Sequence, residues 1–198
     1  MKSSSFLRLK YLKLSLISCL LIFVSTGFKV VPDNDKIYWS PNVHLNWDDF
    51  TGTPNNAETF DASTETSVKC DLKGDDKNVT ITIVCFFEKS KSWVKREKKG
   101  DTLLKHEQAH FDLAELYTRK LRKAMKEAKF TSKTINSEFK KVYQKYIGDL
   151  KKEQDRYDKE TRHSIIYPKQ KEWEARIAQD LNAMNEFSGS VIEVKVRG

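Results

Sequence analysis

A chain of 198 residues, of which 38% are hydrophobic and 32% charged, can build one ordinary domain with a sizeable core. This composition excludes a chain that is disordered from end to end. Lysine and arginine outnumber aspartate and glutamate by 36 to 28, but the lysines of residues 89–171 are interspersed with acidic residues. Such a mixture is typical of solvated helix surfaces and, without a nucleic-acid motif, argues against nucleic acid as a partner.

The first 27 residues have the order of a secretory signal. Basic residues between Lys2 and Lys13 precede an apolar run from Leu14 to Val24, and small residues follow. Because the run is shorter than the ~20 residues of a membrane-spanning helix, we predict a signal peptide over 1–27 and one domain over 28–198. Contact with a membrane would then require an uncleaved signal or a lipid anchor at Cys19. The predicted location is the periplasm, the cell envelope or the extracellular space.

Residues 28–95 are predicted to be mostly strands. Apolar and polar side chains alternate over 68–72 and again over 79–85, which is the period of strands with one buried face. Turn residues separate the two runs, so we expect an antiparallel hairpin. Cys70 and Cys85 flank the turn and are a candidate disulfide in an oxidising compartment. The alternative is two small buried residues without a bond.

Residues 101–187 change to a helical period. From Asp101, a candidate N-cap, apolar residues and two histidines recur every three or four positions up to 128, which predicts one helix with an inward-facing stripe. A second helix is predicted from about Ser132, and a third has Pro168 in its first turn. Residues 190–197 predict a last strand. The predicted class is α+β: a small antiparallel sheet in the N-terminal half, a three-helix, zincin-like C-terminal half and a short final strand.

The first helix carries the sequence His-Glu-Gln-Ala-His at positions 106–110. Residues four apart lie on one helical face, so His106 and His110 can present two imidazole nitrogens to one Zn²⁺ ion. Glu107 lies beside that face, where its carboxylate can take a proton from a metal-bound water and pass it to a leaving amine. The pattern therefore favours hydrolysis of peptide bonds. The inert alternative is a pair of hydrogen-bonded core histidines.

A catalytic zinc ion usually takes a third protein ligand and keeps one open position. If the second helix returns antiparallel to the first, its far end comes back to His106, so we favour His163 as the third ligand. Asp158 or Glu160 is the next choice, and His44 is the last.

Four residues near His163 are candidates for supporting roles. Asp158 and Glu160, if they are not ligands, could accept the second N–H of a ligating histidine and fix its orientation. Tyr157 or Tyr167 could donate a hydrogen bond to the developing oxyanion, although a tyrosine that only packs would give the same pattern.

The sequence resembles a bacterial family called domain of unknown function 922, whose members are described as predicted zinc-dependent proteases. The resemblance covers most of the chain after the signal, and its distinctive part is the stretch around the histidines; it comprises Trp47-Asp48-Asp49-Phe50, Ser92-Trp93-Val94, Leu104 to Asp112 with Glu115, Tyr157-Asp158, Glu160-Thr161, His163, Gln170 and Trp173. It implies His106 and His110 as zinc ligands, Glu107 as the catalytic acid and base, and a role for His163.

These patterns together predict an exported metallopeptidase that uses one zinc ion and acts on a peptide or protein substrate. One alternative is a non-catalytic envelope protein with a structural metal or an inert histidine site. Another is a metal hydrolase that acts on other amides, such as cell-wall peptides. Loss of cleavage in a Glu107→Gln variant that keeps its zinc would separate an enzyme from the first alternative.

Overall fold

The computed structural model describes residues 34–75 and 77–197, so the signal peptide predicted over 1–27 lies outside the described residues. The elements in chain order are β1 (Lys36–Tyr38), β2 (Ala62–Ser63), β3 (Thr66–Gly74), β4 (Asn78–Glu88), β5 (Trp93–Val94), α1 (Asp101–Glu127), α2 (Ile135–Thr161), α3 (Tyr167–Ala183) and β6 (Val191–Lys195). This order confirms the predicted α+β class. No helix in the described part of the chain is apolar enough over a sufficient length to cross a membrane.

Strand β4 is the centre of the main sheet. One of its edges pairs with β3 along nearly the whole strand, and the other pairs with β1 at one end and β6 at the other, always antiparallel. Within the described residues β3 pairs with β4 alone, so β3 is an edge strand. The short strands β2 and β5 form a separate antiparallel pair.

The candidate disulfide between Cys70 and Cys85 is not formed, and both residues are free thiols. Cys70 lies opposite Ile83, and Cys85 lies opposite Val68. The cysteines are therefore diagonal neighbours, roughly 7–8 Å apart, whereas a disulfide usually joins Cα atoms about 4.4–6.8 Å apart. Burial raises the pKa of both thiols, that of Cys70 to about 11, so both remain protonated at neutral pH.

Helix α1 is buried on several sides because it packs against the sheet, α2 and α3. None of the positions in the predicted inward-facing stripe is exposed, and further residues on other sides of the helix are buried as well. A buried ion cluster lies on the helix: the carboxylate of Glu115 accepts hydrogen bonds from Arg119 Nε at 3.0 Å and Arg122 Nη1 at 2.8 Å. Arg122 also donates to a main-chain carbonyl of β4. These charge-assisted bonds fix α1 against the sheet.

The ends of α1 and α2 differ slightly from prediction. Gly100 is the N-cap residue of α1, so Asp101 is the first helical residue and not the cap. Helix α2 begins at Ile135 because the preceding residues form a turn, in which the hydroxyls of Thr131 and Thr134 are hydrogen-bonded. Helix α2 then returns antiparallel to α1 and brings its last turns beside the first turns of α1.

Candidate metal site

His106 and His110 lie one turn apart on α1 and present their Nε2 atoms to a common point. The two Nε2 atoms are 3.2 Å apart. The His106 side chain is only 1% exposed and that of His110 is 12% exposed, so both rings have fixed positions. Ala109 and Leu113 of the same helix are buried, and their burial fixes the rotation of α1 about its axis. This rotation sets the direction of both histidine side chains.

Helix α2 adds a third donor atom at the same point. Asp158 Oδ1 lies 3.0 Å from His106 Nε2 and 3.0 Å from His110 Nε2. Ligand atoms around a tetrahedral zinc ion lie about 3.3 Å from one another, given bonds of about 2.0–2.1 Å. The observed spacing fits that arrangement closely, and the three side chains can hold a metal ion.

The charge of Asp158 suits this role. Burial opposes ionisation of the carboxyl group, but His106 and His110, when their rings are charged and donate from Nε2, hold the pKa of Asp158 well below its ordinary range. Burial likewise disfavours the charged ring of His110, yet Asp158 raises the pKa of that imidazole. A carboxylate that is ionised at neutral pH is the form that binds a cation.

Glu107 places a second carboxylate beside these donors. Its side chain is buried, and among the described residues its Oε2 is the one buried side-chain polar atom without a hydrogen-bond partner. Leaving such an atom unpaired costs roughly 1–3 kcal/mol. A cost of this kind is typical of atoms whose partner is a bound water, ion or substrate. The orphaned oxygen therefore fits a site that takes a ligand.

The three donors and Glu107 line one cavity of about 490 Å³. One wall consists of residues 62–66, and the opposite wall consists of α2 side chains between 147 and 158. The Thr64 hydroxyl donates to the main-chain carbonyl of Glu107 at 3.4 Å, which connects the strand wall to α1. The donor atoms and Glu107 thus lie in a cavity of the size that takes a small ligand.

His163 lies beside the three donors and not among them. Its Nδ1 is 3.3 Å from Asp158 Oδ1, and its ring stacks on Phe60 with centroids 5.3 Å apart. Helix α2 ends before His163, and residues 162–164 all have positive φ, of 47°, 50° and 73°. This conformation costs a non-glycine residue about 1–2 kcal/mol, and such strain occurs at functional sites. The geometry favours Asp158, the second choice from sequence, as the third donor.

Three other predicted residues lie away from the donors. Glu160 Oε2 accepts a hydrogen bond from Trp173 Nε1 at 2.8 Å. Tyr167 is 55% exposed at the start of α3. His44 is exposed and lines a different cavity, of about 470 Å³, on the side of α1 packed against α3. The structure does not bring any of these three side chains to the metal site.

Tyr157 is buried behind His106 instead of facing the cavity. Its ring stacks on the imidazole with centroids 4.5 Å apart, and its hydroxyl donates to Gln170 Oε1 at 2.8 Å. Burial raises the pKa of the phenol. With its hydroxyl already bonded within the protein, Tyr157 is placed to support His106 and not to donate to an oxyanion.

Two glutamines contact the histidines, and neither was among the predicted site residues. Gln170 Oε1 lies 3.1 Å from His106 Nδ1, and Gln154 Oε1 is hydrogen-bonded to His110 Nδ1. Gln154 could have been found from its spacing, because it precedes Asp158 by four residues and so shares its face of α2. Gln170 belongs to the residues that carry the family resemblance.

The fold and the site define an α+β protein whose His-Glu-x-x-His helix contributes to a three-donor site that can hold a metal ion. The chain belongs to the family described as Bacterial protein of unknown function (DUF922), whose model matches residues 49–164. The matched segment contains His106, Glu107, His110 and Asp158. Comparison with curated proteins found no match, and comparison with solved structures found none either.

Proposed function

We propose that this protein is an exported, zinc-dependent metallopeptidase. The observation that carries the proposal is the convergence of His106, His110 and Asp158 next to the unpartnered carboxylate of Glu107. Catalytic zinc sites have three protein ligands and an open position, whereas structural sites are closed by four. Imidazole together with carboxylate is a ligand set that suits zinc. Export is proposed from the sequence of residues 1–27.

The residues of the site would have two separate chemical roles, cation binding and proton transfer. His106, His110 and Asp158 would hold the cation. When bound, zinc acts as a Lewis acid that lowers the pKa of water and polarises a carbonyl group. Glu107 Oε2, which has no hydrogen-bond partner, would take a proton from the attacking water and deliver it to the leaving amine. The burial of Glu107 keeps bulk water from competing for that proton.

The strand wall of the cavity supports a peptide as the substrate. Alternate residues of a strand direct their main-chain N–H and C=O groups to opposite edges. The Glu65 carbonyl accepts the N–H of Glu88 from β4 at 3.0 Å, so the groups of Thr64 and Thr66 face the other edge. Both threonines line the cavity. An extended peptide can pair with an open strand edge of this kind.

Further along β3 the same edge is covered by α2. The Tyr143 hydroxyl of α2 donates to the Val68 carbonyl at 3.1 Å. This edge of β3 is therefore covered by α2 beyond Thr66 and is uncovered beside Glu107. This arrangement confines a pairing peptide to the part of the strand that lies at the metal site.

Changing Thr66 to proline is expected to lower kcat/KM for an unfolded protein substrate by about tenfold, mainly through KM, because one main-chain donor to the peptide is lost. Proline is tolerated where a strand N–H faces away from the sheet, so the β3–β4 pairing should persist. Thr66→Val is the matched control, since valine keeps the N–H and the shape. Equal cleavage by the two variants would show that the substrate does not pair with this edge.

The proposal is tested by removing the metal from the purified protein with a chelator and titrating zinc back. We expect one zinc ion per chain, and cleavage of a reduced, carboxymethylated protein only in the loaded form. If the protein binds no metal, the proposal fails. Zinc binding with no hydrolysis of any amide would favour a structural site. Cleavage restricted to cell-wall peptide fragments would favour the other class of amide hydrolase.

A further inference from the structure

We infer that Gln170 and Gln154 are positioning residues that hold His106 and His110 in one and the same tautomer, with the proton on Nδ1. The inference concerns the metal site on which the proposed function rests. It follows from the direction in which each glutamine amide must face, and this direction is fixed by partners on the far side of each amide.

The amide of Gln170 is oriented by Glu174. Gln170 Nε2 donates to Glu174 Oε1 at 3.1 Å, so Gln170 Oε1 faces the opposite way, toward Tyr157 and His106. The other carboxylate oxygen of Glu174 is held by Lys171 Nζ at 2.6 Å. Because an amide oxygen only accepts, the Nδ1 atom of His106 must carry the hydrogen of this bond. Gln170 is fully buried, so water does not compete for the contact.

The amide of Gln154 is oriented by the main chain of α1. Gln154 Nε2 donates to the carbonyl oxygen of His110 at 3.1 Å. Gln154 Oε1 therefore faces the His110 ring, where it is hydrogen-bonded to Nδ1. The same reasoning puts the hydrogen on Nδ1 of His110. Two residues on different helices thus impose one tautomer on both rings.

The consequence is that both Nε2 atoms of the neutral rings present lone pairs to Asp158 Oδ1. Three acceptor atoms then lie 3.0–3.2 Å from one another. Acceptors at this distance repel unless a cation lies among them. A pair of inert core histidines would instead direct one ring N–H at the neighbouring acceptor. The glutamines therefore prepare the site for a cation.

The tautomers can be read from the metal-free protein by ¹⁵N NMR of the ring nitrogens, at a pH where both rings are neutral. We expect Nδ1 to be protonated in both histidines. Protonation at Nε2 of either ring would overturn the inference. This measurement needs neither zinc nor activity, so it separates the inference from the proposed function.

The role of Gln170 is tested further by zinc affinity, measured in competition with a chromophoric chelator. Gln170→Leu is expected to weaken binding by about 10- to 100-fold, as is usual for residues that orient a ligating histidine. The double variant Gln170→Glu/Glu174→Gln exchanges the two side chains and keeps an acceptor for His106. We expect it to recover most of the affinity, and Gln179→Leu, an exposed position of α3, to have no effect.

Thermal unfolding of the metal-free variants shows whether each of them is folded. Wild-type affinity in Gln170→Leu would overturn the assignment. A loss that the exchanged pair does not recover would also overturn it, because that pair keeps the acceptor for His106 Nδ1. If the wild type binds no zinc, the proposed function fails while the NMR result still decides the tautomer.

Discussion

Changing Glu107 to glutamine is expected to lower the rate of cleavage of an unfolded protein by about 10²- to 10⁴-fold, the usual contribution of a general base. Glutamine has the shape of glutamate but cannot accept the proton of the attacking water. Zinc affinity should not change, because Glu107 is not one of the three donor atoms. The measurements are kcat/KM of the zinc-loaded protein and calorimetric titration of the metal-free protein.

Glu127→Gln is the matched control for this variant, since it removes the same charge from an exposed position at the end of α1. It should cleave like the wild type. We also expect Glu107→Gln not to lower the unfolding temperature, because the carboxylate it replaces is buried and lacks a partner for Oε2. Retained cleavage in Glu107→Gln would contradict the role of Glu107 as the base. Loss of zinc would mean that Glu107 is a ligand.

The part of the site on α1 was predictable because it depends only on spacing within one helix. His106 and His110 are four positions apart in the sequence, and any α-helix brings such a pair onto one face. The strands of the hairpin were predictable for a similar reason, since alternation of apolar residues defines their buried face. These are local rules, and the structure confirms the elements that rest on them.

The third donor was not predictable in the same way. Asp158 and His163 are only five residues apart, and the choice between them depends on where α2 ends and how the chain turns. The turn has three consecutive non-glycine residues with positive φ, which no local preference would suggest. His163 therefore leaves the helical face on which Asp158 remains. The orientation of the two glutamine amides is likewise set by contacts between helices.

The packing of α1 explains how the donor atoms of the site are held in fixed positions. The helix contacts the sheet and both other helices, and the buried cluster of Glu115, Arg119 and Arg122 fixes it beyond the turn that carries the two histidines. Two of the three donors lie on this helix and the third lies on α2, so all three are on regular elements. Sites held by helices and strands keep their geometry better than sites held by loops.

Asp158→Asn is expected to weaken zinc binding by more than about 100-fold, because removing a direct ligand should cost more than removing a residue that only orients one. His163→Ala should change the affinity by about fivefold or less, since its contact with Asp158 is a partly exposed pair. Both affinities are measured by chelator competition on folded protein. Removing His163 would then have only a small effect on occupancy at saturating zinc.

Asp155→Asn is the control, because it makes the same substitution on an exposed face of α2, three residues from Asp158. It should bind zinc like the wild type.

The opposite ranking, with His163→Ala losing zinc and Asp158→Asn keeping it, would mean that the turn after α2 rearranges when the metal binds. In that case the left-handed residues 162–164 would form the hinge, and their strain would be relieved in the loaded protein. Equal losses in both variants would instead indicate that both side chains are ligands and that the site is closed, which favours a structural metal over a catalytic one.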